Sequence, residues 1–351
     1  MGLIGTAIFW NVGALIDVIG VFEGNTTWRE PYSQALAVSL GLSCIAVSLR
    51  YFLISLEEGK YLDILFLSAF LLNLILDLCL SGVVDVGATL GGFGIPLSSL
   101  FVNLYLTIIL FLFILKSPLI QLKFVKLTFS KVLYLVQVGA PISAILFFEA
   151  ILFIGSHTLV ASNSLEGAVA FSLFIIFVDL IIMFAVGTSQ SISAKIAINI
   201  GSNTAELNPS LIKSAMVLIV VINFVLGVFI VLSGLICLYY FDDLEPTLVQ
   251  ELLLALKYIF PVAILNSLVI VSSSIFRSLE PRSQFGINVV LGYGVIGLGS
   301  SFLLSGFIGL GNEGVYIGIV CGFIYSMIAL VVGNKDIVKK ENLKSLFMLA
   351  R

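Results

Sequence analysis

The sequence predicts an all-α membrane protein that crosses the bilayer about ten times. Of its 351 residues, 60% are hydrophobic and only 11% are charged, and the mean hydropathy is +1.19. Soluble domains carry about 25% charged residues, so this composition excludes a water-soluble fold. Apolar runs recur along nearly the whole chain, and none resembles a cleavable signal peptide followed by a soluble domain.

The apolar segments have the length of membrane-spanning helices, since a span needs roughly 20 apolar residues. They show no alternation of polar and apolar residues, and open strands would leave backbone groups unsatisfied in lipid, so helices are predicted. The ten predicted spans are residues 2–22, 33–55, 60–83, 92–115, 132–157, 165–194, 211–240, 247–276, 284–307 and 312–333.

The lysines and arginines predict the orientation of these spans. With the N-terminus in the cytoplasm, all of the 17 Lys and Arg residues except Arg29 and Lys257 fall on the cytoplasmic side. Positive residues concentrate on the inner side of membrane proteins. We therefore expect a multi-pass protein of the cell (inner) membrane with both termini in the cytoplasm, and an even number of spans.

A basic connection near the middle of the chain suggests two bundles of helices. We predict an N-terminal bundle of four spans (1–116), a cytoplasmic linker (117–131), a C-terminal bundle of six spans (132–334) and a basic cytoplasmic tail (335–351). The linker has an alternative interpretation as an interfacial amphipathic segment that divides nothing.

A weak internal repeat supports the two bundles. Ser55-Leu56-Glu57 is similar to Ser278-Leu279-Glu280, and the glycine-rich segment 91–94 is similar to 311–314, in the same order in each half. Repeats of this kind are typical of transporters whose binding sites lie near the membrane midplane. The halves are unequal, because the spans 132–157 and 165–194 have no counterpart before the linker. We expect either a truncated reading frame or a degenerate transporter.

Glu149 is the candidate functional residue that stands out. It lies inside the apolar run 141–154, where an acid costs about 2.5–3.5 kcal/mol at the centre of a spanning helix. Such residues usually face a cavity, bind a cation or carry a proton. The alternative is a structural carboxyl that stays protonated and is hydrogen-bonded to a neighbouring helix.

Two further polar residues lie within predicted spans. Asp179 is deep in the sixth apolar segment and either faces a cation or substrate or forms a hydrogen bond between helices. His157 lies near an outer helix end, where a polar cap is expected rather than a proton relay. As the only histidine it argues against zinc or haem, and no nucleotide-binding loop or catalytic motif is present. We therefore expect no enzyme, no cofactor and no nucleic-acid partner.

One segment resembles a known family. The stretch Gly139–Phe153, GAPISAILFFEAILF, resembles the seventh helix of the multidrug and toxic compound extrusion (MATE) family, with a proline eight residues before the acid. Gly187-Thr-Ser-Gln190 and Ile200-Gly201 are similar to the end of the family's eighth helix and the glycine that follows. The resemblance runs more thinly over the rest of the chain, aligned to helices three to twelve, with the first helix pair missing.

The resemblance implies site residues by position. Glu149 matches the carboxylate of the C-terminal lobe that is tied to cation coupling. Asn73 and Asp77 match an Asn/Asp pair of the N-terminal lobe, and their i, i+4 spacing would let both oxygens bind one cation. Ser99 is similar to a hydroxyl near that pair. Asn266 stands where sodium-coupled members have aspartate, and an amide can offer an oxygen to sodium but cannot take a proton.

The function implied is antiport by alternating access. Na⁺ or H⁺ would flow inward, and organic, cationic and amphipathic compounds or drugs would be exported by a monomer in the bilayer. Two alternatives stay open: a degenerate or truncated relative that does not transport, and a flippase for lipid-linked oligosaccharides from the same superfamily. The flippase is disfavoured because it needs a basic cavity, and only Lys257 could lie deep in a span.

Overall fold

The fold is entirely helical wherever the chain is described. The computed structural model describes residues 6–7, 10–11, 29–55, 61–82, 90, 93–116, 128–202, 208–240, 244–279 and 285–333. Within these ranges, nine helices are long and apolar enough to cross a membrane, and no strand is present. The predicted all-α membrane fold is confirmed. The predicted span 2–22, the tail 335–351 and most of the linker 117–131 lie outside the described residues.

Each described helix corresponds to one predicted span. α8 is continuous but mixed, with α-helical Phe285–Leu291 and Leu298–Phe302 alternating with π-helical Gly292–Gly297 and Leu303–Phe307. The other helices are α1 (Arg29–Ser55), α2 (Leu62–Leu80), α3 (Gly94–Lys116), α4 (Phe129–Asn163), α5 (Leu165–Gly201), α6 (Asn208–Tyr240), α7 (Pro246–Leu279) and α9 (Gly311–Gly333).

The chain forms two compact units, Met1–Val125 and Lys126–Arg351. In the first unit, α3 packs against both α1 and α2 through a core that includes Leu53, Leu65 and Leu110. The opposite surface of α2 is apolar as well, as expected for a helix that faces lipid. Its exposed side chains include Ile64, Leu67, Phe70, Leu71, Leu74, Ile75 and Leu78.

The second unit is built around α7, which packs against α5, α6 and α9. It is the most enclosed of the described spans, and Val262, Ala263 and Val271 are fully buried. Because α7 is covered on several sides, a polar residue on it must find its partners within the protein. This constraint applies directly to Asn266, which is also fully buried.

Glycines bring α8 and α9 into close contact. Gly314, Gly318 and Gly322 follow one another at every fourth position of α9 and therefore share one face of the helix. A Cβ on Gly322 would lie 2.8 Å from the backbone oxygen of Gly292, and one on Gly318 would overlap the backbone of Ser301. Small residues in such a row let transmembrane helices approach closely.

Polar side chains join four helix termini at one end of the second unit. Asn312 Nδ2, at the start of α9, donates to Ser164 Oγ at 3.1 Å and to Glu251 Oε1 at 2.9 Å. Asn163 Nδ2 donates to Asn312 Oδ1 at 2.9 Å. The end of α4 and the starts of α5, α7 and α9 therefore lie together, and we call this end of the unit the Asn312 end.

Candidate functional site

Glu149 lies at middle depth in its helix. The apolar part of α4 runs from Gly139 to Asn163, so Glu149 is about 15 Å from one end and about 21 Å from the other at 1.5 Å per residue. This is the region where water is least available to solvate a carboxylate. The side chain therefore depends on the protein for its hydrogen bonds.

Asn266 is the hydrogen-bond partner of Glu149. Its Nδ2 donates to Glu149 Oε1 at 2.7 Å, which links α7 to α4. Its Oδ1 accepts from the hydroxyl of the fully buried Tyr293 at 3.5 Å. The amide therefore turns its nitrogen toward the carboxylate and its oxygen toward Tyr293. In this orientation Asn266 is a donor to Glu149 and does not offer the oxygen that a shared sodium ion would need.

Glu149 also lines a cavity of about 370 Å³ between α4 and α5. The residues from α4 are spaced by three or four and so form one face of that helix. Most of the lining side chains are apolar, and three can carry a charge. The lining residues are Leu146, Glu149, Ala150, Phe153, Ile154, His157, Ile175 and Asp179.

Asp179 reaches this cavity from α5 at the same depth as Glu149. The two helices run antiparallel from a tight junction at Ser164, and the acids lie at matching positions before and after it. The sequence placed Asp179 deep in its span but could not show what it faces. Within the part of the chain that is described, neither carboxylate has a basic partner.

His157 is the third ionisable residue of the cavity. Its Nε2 lies 3.0 Å from Ser172 Oγ on α5, and its ring lies 5.9 Å from that of Phe171. Its position in the sequence predicts a polar cap at a helix end, with no connection to Glu149. The residue spacing does indicate that connection, because positions 149, 153 and 157 lie on one helical face.

Two of the three candidate residues of the first unit line a cavity, and the third does not. Asn73 and Ser99 line a cavity of about 330 Å³, together with Phe66, Ala69, Phe70, Val102, Asn103 and Leu106. Asp77 is not among the lining residues and instead accepts a hydrogen bond from Ser98 Oγ. The hydroxyl that bonds to Asp77 is therefore that of Ser98, while Ser99 lines the cavity with Asn73.

The described residues include no group of three or more His, Cys, Asp or Glu placed to hold a metal ion. The three ionisable residues of the α4–α5 cavity are spread along the helices, since Glu149 and His157 are about 12 Å apart along α4. The arrangement is therefore suited to single interactions with a proton, a monovalent cation or an organic cation, each at a different depth.

Solved structures of MATE transporters match nearly the whole chain. An outward-facing multidrug resistance MATE family transporter of the MOP superfamily matches with a TM-score of 0.82, at 16% identity over 96% of this chain and 76% of its own. The chain has the MATE fold. The eukaryotic MATE transporter AtDTX14 matches with a TM-score of 0.78, at 16% identity over 98% of this chain and 77% of its own.

A mutant of the MATE transporter VcmN from Vibrio cholerae matches similarly, with a TM-score of 0.79 and 16% identity over 97% of this chain and 76% of its own. No protein-family model matches the chain, and neither does any curated protein sequence. The likeness to MATE structures is therefore one of fold, and the fold expected from the segment around Glu149 is confirmed.

Proposed function

We propose that this chain is a cation-coupled antiporter that exports organic, cationic and amphipathic compounds by alternating access. The observation that supports the proposal best is the setting of Glu149. This carboxylate lies at middle depth on a cavity, beside a second acid and without a basic partner among the described residues. The solved structures that share this fold are named as MATE transporters, which supports transport as the function.

The coupling follows from the cost of an uncompensated charge. A carboxylate in a low-dielectric setting is stabilised by any positive charge that reaches it, whether Na⁺, H⁺ or a cationic substrate. Because Glu149 can bind only one of these cations at a time, arrival of the coupling cation displaces the substrate. Competition for one acid thus links inward flow of the cation to outward movement of the substrate.

The cavity lining indicates the class of substrate. Leu146, Phe153, Ile154 and Ile175 offer apolar contacts, and Glu149 on the same surface offers a negative charge. Apolar walls with one or two charged groups are typical of sites for small organic molecules. An amphipathic cation satisfies both features, whereas the pyrophosphate of a lipid-linked sugar needs a basic cavity and would be repelled by the acids.

Lys257, the basic residue that a flippase would need in its cavity, pairs with Glu313 and does not line the α4–α5 cavity. Its Nζ lies 2.6 Å from Glu313 Oε1, and its side chain is exposed. Glu313 belongs to the first turn of α9, so this ion pair lies near the Asn312 end. This position supports the exporter over the flippase.

The first unit would contribute a second cation site. Asn73 and Ser99 supply oxygen atoms on one cavity, and Asp77 supplies a carboxylate bonded to Ser98. Oxygen donors of this kind suit a hard cation or an organic ammonium group. We assign this site a supporting role in binding, with Glu149 carrying the coupling.

We further propose that the protein is a monomer in the inner membrane with the Asn312 end on the outside. Single cysteines introduced in a cysteine-free background test this orientation. Leu310→Cys should react with a membrane-impermeant maleimide in intact cells, and Ser202→Cys only after lysis. The reverse pattern would contradict the orientation.

The proposed function is tested by ethidium efflux from cells that express the chain. Wild type should lower ethidium accumulation, and Glu149→Gln should abolish this effect because glutamine cannot hold a coupling cation by charge. Ser143→Ala is the matched control, since Ser143 is exposed on the same helix and bonds only to the backbone of Gly139. Unchanged efflux in Glu149→Gln would remove the assignment, and no efflux by correctly inserted wild type would favour a non-transporting relative.

A further inference from the structure

His157 shares its cavity with both carboxylates and lies nearer the Asn312 end than either. It is eight residues after Glu149 on α4, about 12 Å along the helix toward that end. An imidazole is the side chain whose charge changes most readily near neutral pH. Its position thus places a proton-accepting group between the Asn312 end and the deep acids.

The hydrogen bond to Ser172 favours the tautomer of His157 that carries its proton on Nε2. Ser172 Oγ donates its hydrogen to the backbone oxygen of Ala168 at 2.9 Å. When Nε2 carries the hydrogen of the neutral ring, Ser172 Oγ accepts it across the 3.0 Å contact and keeps its own bond to Ala168. Nδ1 then keeps a free lone pair. A second proton can bind there without breaking the contact with Ser172.

The surroundings of His157 contain few competing charges. On α5 the acid facing the same cavity is Asp179, and on α4 it is Glu149. Among the described residues of α8 the ionisable group is Tyr293, which bonds to Asn266. From α9, Tyr316 packs against Phe171, with the ring centroids 5.3 Å apart. The other charged residues near the Asn312 end are Glu313, which pairs with Lys257, Glu251, which accepts from Asn312, and Glu166 and Glu245 at the starts of α5 and α7.

We propose that His157 passes protons between the Asn312 end of the cavity and the carboxylates of Asp179 and Glu149. This inference rests on the proposed antiport and assigns H⁺ as its coupling ion. Nδ1 accepts a proton from water at the Asn312 end, and the imidazolium gives a proton to a carboxylate oxygen through water in the cavity. The imidazole is then neutral again, and one proton has moved inward. A cavity of 370 Å³ has room for about ten water molecules.

The orientation of Asn266 supports a proton over sodium at Glu149. Its amide nitrogen faces the carboxylate, and its oxygen faces Tyr293. A sodium ion at Glu149 would need further oxygen ligands close by, whereas a proton needs only the carboxylate itself. Glu149 can therefore be neutralised by a proton without any rearrangement of α7.

Nuclear magnetic resonance tests His157 without any transport assay, because it is the only histidine in the chain. The protein would carry an affinity tag that contains no histidine and would be labelled with ¹⁵N-histidine in lipid nanodiscs. We expect one imidazole that carries hydrogen on Nε2 at high pH and on both nitrogens at low pH, and whose ¹⁵N signals differ in Asp179→Asn. A signal that never titrates, or that ignores Asp179→Asn, overturns the proposal.

Transport in proteoliposomes separates this inference from the proposed function. With an imposed pH gradient, His157→Gln should export ethidium at least about tenfold more slowly than wild type, while still binding ethidium. The control is Thr158→Val, an exposed neighbour that bonds to its own helix. Full-rate proton-driven export by His157→Gln overturns the relay alone. Absence of export by wild type overturns the antiporter, and the histidine titration remains a separate result.

Discussion

Asn266 Nδ2 donates a 2.7 Å hydrogen bond to Glu149 Oε1 and so connects the most enclosed helix of the second unit to the cavity-lining acid. A hydrogen bond to a charged group stabilises by about 1.5–3 kcal/mol. The bond holds one oxygen of a carboxylate that lines the α4–α5 cavity. Binding of a cation or a proton to Glu149 can therefore affect α7 directly, because any group that displaces the Asn266 amide changes the contact between α4 and α7.

Replacing Asn266 with aspartate should create sodium dependence. Two carboxylates at hydrogen-bonding distance cannot both be charged unless a cation lies between them. We expect Asn266→Asp to export ethidium faster when sodium is present outside, and the purified variant to bind ²²Na⁺ more tightly than wild type. Both effects should disappear in the double variant Glu149→Gln/Asn266→Asp, which retains one carboxylate. Sodium dependence equal to that of wild type would contradict the geometry proposed for this pair.

Asp179→Asn should weaken binding of cationic substrates. The acid lies in the α4–α5 cavity at the depth of Glu149, so its charge acts on the same ligand. We expect the Kd for ethidium to rise by about tenfold, in line with the loss of one close charge interaction of about 1.4 kcal/mol. Equilibrium binding by fluorescence measures the change. Glu166→Gln, in the first turn of the same helix, should bind as wild type does, and equal affinity in both variants would exclude Asp179 from the site.

Asp77→Asn tests the first unit. Asp77 accepts a hydrogen bond from Ser98, which joins α2 to α3 beside the cavity lined by Asn73 and Ser99. If this unit supplies a second cation site, the substitution should slow ethidium export severalfold. Asp63→Asn is the control, because Asp63 is exposed in the first turn of α2. Equal export by the two variants would restrict coupling to the second unit.

The spans could be predicted from the sequence because hydropathy and length decide them almost independently of tertiary structure. α7 and α9, for example, begin and end within a few residues of the predicted 247–276 and 312–333. The π-helical segment Gly292–Gly297 could not be predicted, because it depends on contacts with a neighbour. Gly292 and Gly297 there lie against Gly322 of α9, and the sequence does not show which helices meet.

The candidate site was predicted in part. Glu149 stood out because an acid in an apolar run is costly wherever it points. The residues that contact Glu149, and those that share its cavity, could be identified only from the structure. His157 belongs to the cavity because α4 and α5 form a hairpin at Ser164. The rotation of α3 about its axis decides that Ser98 bonds to Asp77 while Ser99 lines the cavity with Asn73. Such rotations are set by packing, which a single sequence does not reveal.

The close contact between α8 and α9 makes a prediction about stability. Gly318→Ala would press a methyl group against the backbone of Ser301, which cannot move aside as a flexible side chain would. We expect a loss of about 1–3 kcal/mol, the usual cost of overpacking, seen as a lower unfolding temperature in detergent. Gly299→Ala on α8 is the matched control, because a methyl group there meets nothing within 4 Å. Equal unfolding temperatures for the two variants would contradict the packing.

The central claim, that Glu149 carries the coupling cation, is tested most directly by ion flux in sealed proteoliposomes. A pH-sensitive dye and a sodium-sensitive dye inside the vesicles would record the ion that moves when ethidium is added on one side. We predict that ethidium drives opposite movement of protons through wild type and Ser143→Ala, and none through Glu149→Gln. Ethidium-driven ion flux of equal size in Glu149→Gln and wild type would contradict the account.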